Sequence, residues 1–290
     1  MSDTKRTHPP GWQAVKKFAM NTRGRDFVVG DLHGAFELLH RALKAANFDP
    51  SIDRLFICGD MVDRGEESIK ALRLLNLPCV HAVPGNHEDA FMWLYDNAEV
   101  PGQAPHEDLV YAVGNAMKLG NGWWLKADPV ERDKLVAKFR ELPLAIEIET
   151  ARGTVGIVHA DVPDGLSWQE FCQKLEEGDE KVIEKALGSR KRIKSGDASG
   201  VAGIGRVFFG HSIESSGTKQ LGNTFFIDQG AIQGLKSNGE ELGYLTMATL
   251  VCATQSLTKV VENINAMGLF DVKRDLVPSA KPFGEYARQR

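Results

Sequence analysis

The sequence predicts an α/β fold with a largely parallel sheet. Two observations support it: six short runs of β-branched or aromatic residues each stop at polar residues and glycine, and amphipathic helical patterns separate the early runs. This alternation is typical of right-handed βαβ units, in which binding sites lie at the carboxyl edge of the sheet. The predicted strands are Asp26–Val29, Leu55–Cys58, Val80–Val83, Val155–Val158, Val207–Phe209 and Thr224–Ile227.

Helical patterns follow the first two of these strands. Residues 35–46 place Phe36 and Leu39 on one face, and residues 67–77 repeat that apolar spacing. From about residue 91 to residue 141 the pattern is mostly helical. We expect this segment to be an insertion that covers the strand ends.

Sequence signals also mark where later helices begin. Asp128 before Pro129 is typical of a helix cap followed by a first-turn proline. Ser167 and Glu170 have the spacing of a capping box. The helices expected near that pair and after it span about residues 171–175 and 180–187. We therefore expect an N-terminal extension over residues 1–24, one main domain over 25–268 and a basic tail over 269–290.

Length and composition indicate a globular protein. The chain has 290 residues, of which 42% are hydrophobic and 26% are charged. Its net charge of −4, from 35 basic and 39 acidic residues, gives no electrostatic reason to bind nucleic acid or an anionic membrane. Neither a secretory signal nor a membrane-spanning stretch is visible, so we expect a cytoplasmic protein. The oligomeric state stays open.

Polar side chains with metal-binding chemistry follow the predicted strands. A single histidine after a strand is usually a turn residue, but here four of the eight histidines follow four different strands, together with two aspartates and an asparagine. Oxygen and nitrogen donors without thiolate suit Mn²⁺, Fe or Zn²⁺ and argue against a structural cysteine–zinc site. The residues are Asp31, His33, Asp60, Asn86, His87, His159 and His211.

Three glycine-bounded blocks give a more specific signal. They read G-D-L-H-G at residues 30–34, G-D-M-V-D-R-G at 59–65 and G-N-H-E at 85–88. Their order and spacing resemble those of the phosphoprotein phosphatase family of calcineurin-like metallophosphoesterases, and the chain is most similar to the bacterial and bacteriophage-lambda-type serine/threonine enzymes over about residues 27–250. The resemblance implies a calcineurin-like β-sandwich flanked by helices, in αββα layers, with a helical insertion over the site.

The same resemblance implies two divalent metal ions, with Mn²⁺ favoured and Fe or Zn²⁺ as alternatives. A pair of cations about 3.5 to 4 Å apart needs a bridging carboxylate and can acidify a shared water. The implied ligands are Asp31, His33 and the bridging Asp60 for the first ion, and Asp60, Asn86, His159 and His211 for the second.

Catalytic roles are implied for the residues around these ligands. His87 would be the general acid that protonates the leaving oxygen, because an extended backbone after Asn86 would turn its ring away from the metals. Asp63 matches the family position that hydrogen-bonds this histidine. Arg64 would hold two phosphate oxygens in its fork, and Asn86 would also contact the phosphate.

A second phosphate-binding arginine is expected further along the chain. Arg190 is the best candidate because L-G-S-R-K-R resembles the W-x-R segment of the lambda-type enzymes, although the tryptophan is missing and Arg192 remains a rival. Asp161 stands where the family more usually has glycine, which leaves its effect on backbone, metal or substrate entry open. Trp123 and Trp124 are expected to pack in the core, with a substrate groove as the alternative.

These features predict a metal-dependent phosphomonoesterase that acts on phosphoserine and phosphothreonine in phosphoproteins or phosphopeptides. Metal-bound hydroxide would attack phosphorus in line, without a phosphoenzyme. One alternative is a symmetrical dinucleoside tetraphosphatase, but the second block of those enzymes normally reads G-D-L-V-A-R-G, with alanine where this chain has Asp63, and they commonly have aspartate in place of Glu88. Another is a non-catalytic scaffold, which should have lost a ligand or the acid, and none is missing.

Overall fold

The computed structural model describes residues 6–100, 102–214, 216–236, 244–250, 258–260 and 267–269. The expected tail over residues 269–290 therefore lies outside the described residues, apart from Leu269. The strands in chain order are β1 Val15–Phe18, β2 Asp26–Val29, β3 Arg54–Ile57, β4 Val80–Ala82, β5 Ala145–Ile148, β6 Val155–Val158, β7 Arg206–Phe209, β8 Lys219–Leu221, β9 Thr224–Phe226, β10 Asp228–Gln229, β11 Tyr244–Leu245, β12 Met247–Thr249, β13 Thr258–Val260 and β14 Met267–Leu269.

Helices connect and cover these strands. They are α1 Phe36–Ala45, a 3-10 turn at Ser68–Lys70, α2 Ala71–Leu75, α3 Asn86–Asp96, α4 Glu107–Ala116, α5 Trp123–Lys126, α6 Pro129–Glu141, α7 Trp168–Glu176, α8 Glu180–Gly188, α9 Lys191–Ser195 and α10 Ala231–Lys236. Among the helices of the described segments, none has the length and apolarity needed to span a membrane.

Two sheets form the centre of the fold. One has the order β12-β2-β3-β4 and the other β1-β5-β6-β7-β9-β8, and a further sheet joins β10, β11, β14 and β13. Strands β2, β3 and β4 run parallel, as do β6, β7 and β9. The expectation of one largely parallel sheet is wrong, because the six predicted strands divide equally between two sheets. Apolar residues on both faces of a strand do not say whether helices or a second sheet cover the second face.

The core is layered around these sheets. Alternate residues of β2 and β3 point to opposite sides: Val28 and Phe56 face the second sheet, whereas Phe27 and Leu55 face the helices. Helices α1 to α6 cover the first sheet, and α7 to α9 cover the second. This arrangement confirms the αββα β-sandwich. The interior between the sheets contains Val28, Phe56, Cys58, Val83, Ile146, Ile157, Phe208 and Phe225.

The predicted helix starts are confirmed by their capping bonds. The Asp128 carboxylate accepts hydrogen bonds from the N–H groups of Val130 and Glu131 at the start of α6. Ser167 and Glu170 form a reciprocal capping box at the start of α7. Helix α3 begins at Asn86, inside the G-N-H-E block, where the Glu88 carboxylate at the third helical position accepts the backbone N–H of the N-cap residue Gly85 at 2.8 Å.

Candidate metal centre and active site

The loops after β2, β3, β6 and β7 meet at one edge of the sandwich. Their backbone is unusual, because five of the site residues that are not glycine have positive φ angles, a conformation that costs about 1 to 3 kcal/mol each and concentrates at functional sites. The residues and angles are His33 at 45°, Asp60 at 49°, Asp63 at 70°, Arg64 at 63° and His211 at 65°.

Glu88 connects the loop after β3 to the start of α3. Its fully buried carboxylate accepts backbone N–H bonds from Asp60, Met61 and Gly85 at 2.8 Å each and from Val62 at 3.3 Å. Burial raises the pKa of Glu88 to about 7, with a further contribution from the charge of Asp60. Glu88 was not among the site residues predicted from the sequence, although a glutamate at the third position of a helix is a visible capping signal.

Asp60 lies between two groups of imidazoles. Its Oδ2 atom is 3.6 Å from Nε2 of His33 and 3.7 Å from Nε2 of His87, whereas Oδ1 is 3.5 Å from Nε2 of His159. Burial alone would raise the pKa of Asp60, but the surrounding histidines outweigh it and lower that pKa. The carboxylate therefore stays charged and presents one oxygen to each group.

Backbone carbonyls fix the orientation of three histidine rings. A carbonyl accepts, so the bonded ring nitrogen carries the proton and the other nitrogen can bind a metal. Burial lowers the pKa of His33 and of His211 to about 3 and also lowers that of His159, so all three rings are neutral at neutral pH. The bonds run from His33 Nδ1 to Val62 at 2.8 Å, from His159 Nδ1 to Cys58 at 2.6 Å and from His211 Nε2 to Gly188 at 3.1 Å.

The donor set fits two divalent cations. Nε2 of His33 is buried without a hydrogen-bond partner among the described residues, and it lies 3.9 Å from Oδ2 of Asp31. Such an orphaned nitrogen between carboxylates matches what a cation needs. Within the described residues, two groups have ligand atoms within 4.8 Å of one another: His33, Asp60 and His87, and Asp60, His159 and His211.

Asp31 and Asn86 lie beside these groups. The carboxylate of Asp31 accepts the backbone N–H of His211 at 3.0 and 3.1 Å, and Asn86 Oδ1 lies 3.2 Å from Nε2 of His159. Burial raises the pKa of Asp31 well above its usual range, and the charges of Asp228 and Asp60 add to this effect. Asp228 is a buried neighbour that the site prediction missed, although its strand end was visible in the sequence. Burial raises its own pKa to about 6.

His87 forms a buried chain with Asp63 and Trp123. Nδ1 of His87 donates to Asp63 Oδ2 at 2.7 Å, and the indole N–H of Trp123 donates to Asp63 Oδ1 at 2.7 Å. Burial would lower the pKa of His87, but Asp60 and Asp63 outweigh it and raise that pKa. The expected reason for the orientation of His87 is wrong, because Asn86 and His87 lie on helix α3 and not on an extended backbone.

Arg64 borders the same ring. Its Nη2 atom is 3.4 Å from Nε2 of His87, and its backbone N–H donates to the carbonyl of Gly120 at 2.8 Å. The turn around Gly120 in the helical segment thus contacts the site. Trp123 and Trp124 are only 3% and 1% exposed, so the packing prediction for this pair is confirmed and neither lines an open groove.

Arg190 and Arg192 have different surroundings. Arg192 is 1% exposed, and its guanidinium donates to Asp161 Oδ1 at 3.0 Å and to Asp197 Oδ2 at 2.9 Å, as well as to backbone carbonyls. Its donors are occupied by the protein. Arg190 is exposed, with Nη1 3.5 Å from Oγ of Ser212, and its charge contributes to the lowered pKa of the neighbouring His211. Of the two arginines, Arg190 is the one that reaches the site.

Comparisons with known proteins agree on one family for this chain. The sequence model of the calcineurin-like phosphoesterase family matches residues 27–213. Serine/threonine-protein phosphatase 2 of Salmonella typhimurium is 32% identical over 212 residues, which cover 71% of this chain and 87% of that protein. A symmetrical bis(5'-nucleosyl)-tetraphosphatase of Glaesserella parasuis is 28% identical over 51% of this chain and 55% of that protein. A solved structure with the proposed assignment of diadenosine tetraphosphatase shares the fold, with a TM-score of 0.55, 22% identity and coverage of 82% of this chain and 94% of that one.

Proposed function

The chain belongs to the calcineurin-like phosphoesterase family, and we propose that it is a dinuclear-metal-dependent phosphatase for phosphoserine and phosphothreonine in proteins. The observation that supports this function best is the buried pair of Asp63 and His87 next to Asp60. It places an oriented imidazole with a raised pKa at the edge of the metal-binding groups. Such a ring is suited to give a proton to an alkoxide leaving group.

Two groups of ligands would hold the cations, with Mn²⁺ as the proposed metal. His87 also lies within ligand distance of His33 and Asp60, but its bond to Asp63 suits proton transfer better. When bound, the two cations supply charge neutralisation at the phosphate and acidify water. The proposed ligands are Asp31, His33 and Asp60 for one ion, and Asp60, Asn86, His159 and His211 for the other.

The remaining side chains bind the phosphate and move the proton. Arg64 and Arg190 would each hold phosphate oxygens, with Asn86 as a further contact, because a guanidinium fork pairs with two oxygens at once. Nε2 of His87 would give its proton to the leaving serine or threonine oxygen while Asp63 stabilises the imidazolium. In-line transfer of the phosphoryl group to water then needs no phosphoenzyme.

Dinucleoside tetraphosphate hydrolysis is the second candidate, since the Glaesserella parasuis relative carries that name. Asp63 argues against it. The side chain is fully buried and bonded at both oxygens, to His87 and to Trp123, so it is an integrated part of the site. The substitution Asp63→Ala would give this chain the alanine found in the G-D-L-V-A-R-G block of those enzymes.

Side-by-side turnover with added Mn²⁺ tests the proposal. The substrates are phosphoserine, phosphothreonine and phosphotyrosine peptides and diadenosine tetraphosphate, with p-nitrophenyl phosphate as a general reporter. We expect the phosphoserine and phosphothreonine peptides to have the highest kcat/KM. Asp63→Ala should lower peptide turnover by about 10- to 100-fold, the scale of losing a carboxylate that orients a functional histidine. A strong preference for the dinucleotide would reject the protein-phosphatase assignment.

Substitutions at two histidines distinguish a catalytic protein from a non-catalytic scaffold. His87→Asn should lose about 10²- to 10⁴-fold in kcat on the peptides. The matched control is His40→Asn, because His40 is exposed on α1 and lies outside the site. Full activity in His87→Asn would refute the acid role, and inactivity of the unchanged protein on every ester would favour a non-catalytic scaffold.

A further inference from the structure

We propose that Asp161 is a positioning residue that, together with Arg192, holds Arg190 toward the phosphate. The proposal rests on the proposed function in one respect, namely that Arg190 binds a phosphate oxygen. It assigns a role to the aspartate that follows His159 and Ala160.

The contacts of the Asp161 carboxylate lie on both sides of Arg190. Oδ1 accepts from Nε of Arg192 at 3.0 Å, and Oδ2 accepts from the backbone N–H of Arg192 at 3.3 Å and from the hydroxyl of Ser189 at 3.3 Å. Residues 189 and 192 are thus both bonded to one carboxylate. The two residues between them, Arg190 and Lys191, are both exposed.

The carboxylate itself is firmly placed. Asp161 is 2% exposed and lies three residues after the last residue of β6, and the N–H of Ala160 donates to the carbonyl of Ala186 at 2.8 Å, which connects the turn after the strand to α8. A rigid strand thereby sets the position of the segment that follows α8. Glycine at position 161 could form none of the three bonds to that segment.

Arg192 completes the link by connecting the segment to the turn that follows α9. Its guanidinium also donates to Asp197 Oδ2 at 2.9 Å and to the carbonyls of Val162 at 3.1 Å and Gly200 at 3.4 Å. Every side-chain nitrogen of Arg192 therefore has an acceptor in the protein. The residue serves as a buried anchor, which leaves the exposed Arg190 to face ligands.

The position of Arg190 next to the metal ligands follows from this anchor. Its Nη1 atom lies 3.5 Å from Oγ of Ser212, and Ser212 follows the proposed ligand His211. The carbonyl of Gly188, two residues before Arg190, accepts the ring proton of His211 at 3.1 Å. A loosened segment would carry Arg190 away from a phosphate bound at this edge of the sandwich.

Titration calorimetry of inorganic phosphate into the Mn²⁺-loaded protein measures this effect without turnover. Arg190→Ala should weaken the phosphate Kd by about 10-fold, the loss of one charge-assisted hydrogen bond. Asp161→Asn should weaken it by about 3- to 10-fold. The double variant should match Arg190→Ala within about twofold, because a positioning residue has nothing left to position.

Lys191→Ala is the matched control. Lys191 is an exposed cation of the same segment, and its Nζ pairs with Asp164 at 2.6 Å. Its removal should leave the phosphate Kd unchanged, which separates positioning from a general loss of positive charge. The Mn²⁺ Kd of each variant should stay within about threefold of the unchanged protein.

Asp161→Asn leaves a buried cation with one partner fewer, so the variant risks failing to fold. In that case the pair Asp161→Leu with Arg192→Met replaces both charges by apolar groups and should weaken phosphate binding as Asp161→Asn would. If the losses of phosphate affinity in Asp161→Asn and in Arg190→Ala multiplied in the double variant, the proposal would be overturned. An unchanged phosphate Kd in Arg190→Ala would overturn it too. If phosphate binding weakened only because Mn²⁺ binding was lost, the effect would lie at the ligand His211, and the proposal would be overturned as well. Failure to hydrolyse any ester would reject the proposed function, while the phosphate Kd values would still decide the role of Asp161.

Discussion

The two sheets hold their parts of the site by different means. On the side of β3 and β4, the carboxylate of Glu88 accepts four backbone N–H groups and fixes the loop that contains Asp60. On the side of β6 and β7, a buried ion pair of Asp161 and Arg192 holds the segment after α8. The first device acts on backbone N–H groups, and the second acts mainly through a pair of charged side chains.

This difference affects which substitutions each side can tolerate. Backbone N–H groups are the same whatever residue is present, so the first side keeps its shape when neighbouring side chains change. An ion pair needs both partners, so we expect a single substitution on the second side to loosen the segment after α8. We infer that the first side secures the acid and the shared ligand Asp60, whereas the second side adds the ligands His159 and His211 and an adjustable grip on the substrate.

Removing the residue shared by both sides should have the largest effect. Asp60→Asn leaves an amide where one oxygen faced His33 and the other faced His159. We expect kcat to fall by about 10³-fold, the scale of losing a preorganised electrostatic contact, and the protein to retain fewer than two Mn²⁺ ions by elemental analysis. Asp49→Asn, an exposed aspartate on the loop before β3, should change neither quantity. Retention of both ions would contradict the bridging role.

Glu88→Gln should break the first side alone. The new amide offers one oxygen to the four N–H donors and turns its own N–H groups toward the others. We expect about 2 to 4 kcal/mol of lost stability in urea unfolding and a Mn²⁺ Kd weakened by about 10- to 100-fold. Glu99→Gln, at an exposed glutamate, is the control. If Glu88→Gln weakened phosphate binding but left Mn²⁺ affinity intact, the division of labour between the two sides would be wrong.

The sequence predicted the strands and the polar residues at their ends better than the contacts that hold the loops, for a physical reason. Asp31, His33 and Asp60 follow strands whose apolar residues are contiguous, and their blocks have fixed spacing, so local pattern is enough. The six predicted strands and the caps at Asp128 and Ser167 are confirmed on the same basis. Local signals of this kind do not depend on how the sheets are arranged.

Features that depend on tertiary structure were not visible in the sequence. Strand β1 reads V-K-K-F with its lysines exposed, and it is a strand only because it pairs with β5 along the edge of the second sheet. The choice between Arg190 and Arg192 required knowing that Asp161 lies beside the segment after α8. The bonds of Glu88 and the contact of Asp228 with Asp31 likewise join loops from different strands.

Acid should weaken both sides alike when the metals are removed. The pKa of His33 and of His211 is about 3 in the folded protein, below the usual value near 6.5, so the unfolded chain binds more protons between these pH values. Stability is therefore lost as pH falls from about 6.5 toward 3. Each ring should contribute about 2 kcal/mol of loss by pH 5.

Urea unfolding in EDTA at pH 7 and pH 5 measures this loss. His33→Gln and His211→Gln should each reduce the difference between the two pH values by about 2 kcal/mol, whereas His40→Gln should leave it unchanged. Equal pH differences in all four proteins would mean that the rings are not buried neutral in the folded state. If only one of His33→Gln and His211→Gln reduced the stability difference between pH 7 and pH 5, the two sides would differ in how deeply their histidines are buried, as well as in how their loops are held.

The smallest expected effect separates two tryptophans that both cover the first side. Burial raises the pKa of Asp63, and the hydrogen bond from the Trp123 N–H to Oδ1, which Trp123→Phe removes, limits that rise. A less charged Asp63 supports the imidazolium of His87 less well, so we expect kcat to fall by about 3- to 10-fold with KM nearly unchanged and the alkaline limb of the pH profile displaced to lower pH. Trp124→Phe, which removes a ring stacked on Phe91, should lower stability and leave the pH profile in place. If the pH profile of Trp123→Phe did not move, Trp123 would have only a packing role, and Asp63 alone would support the imidazolium of His87.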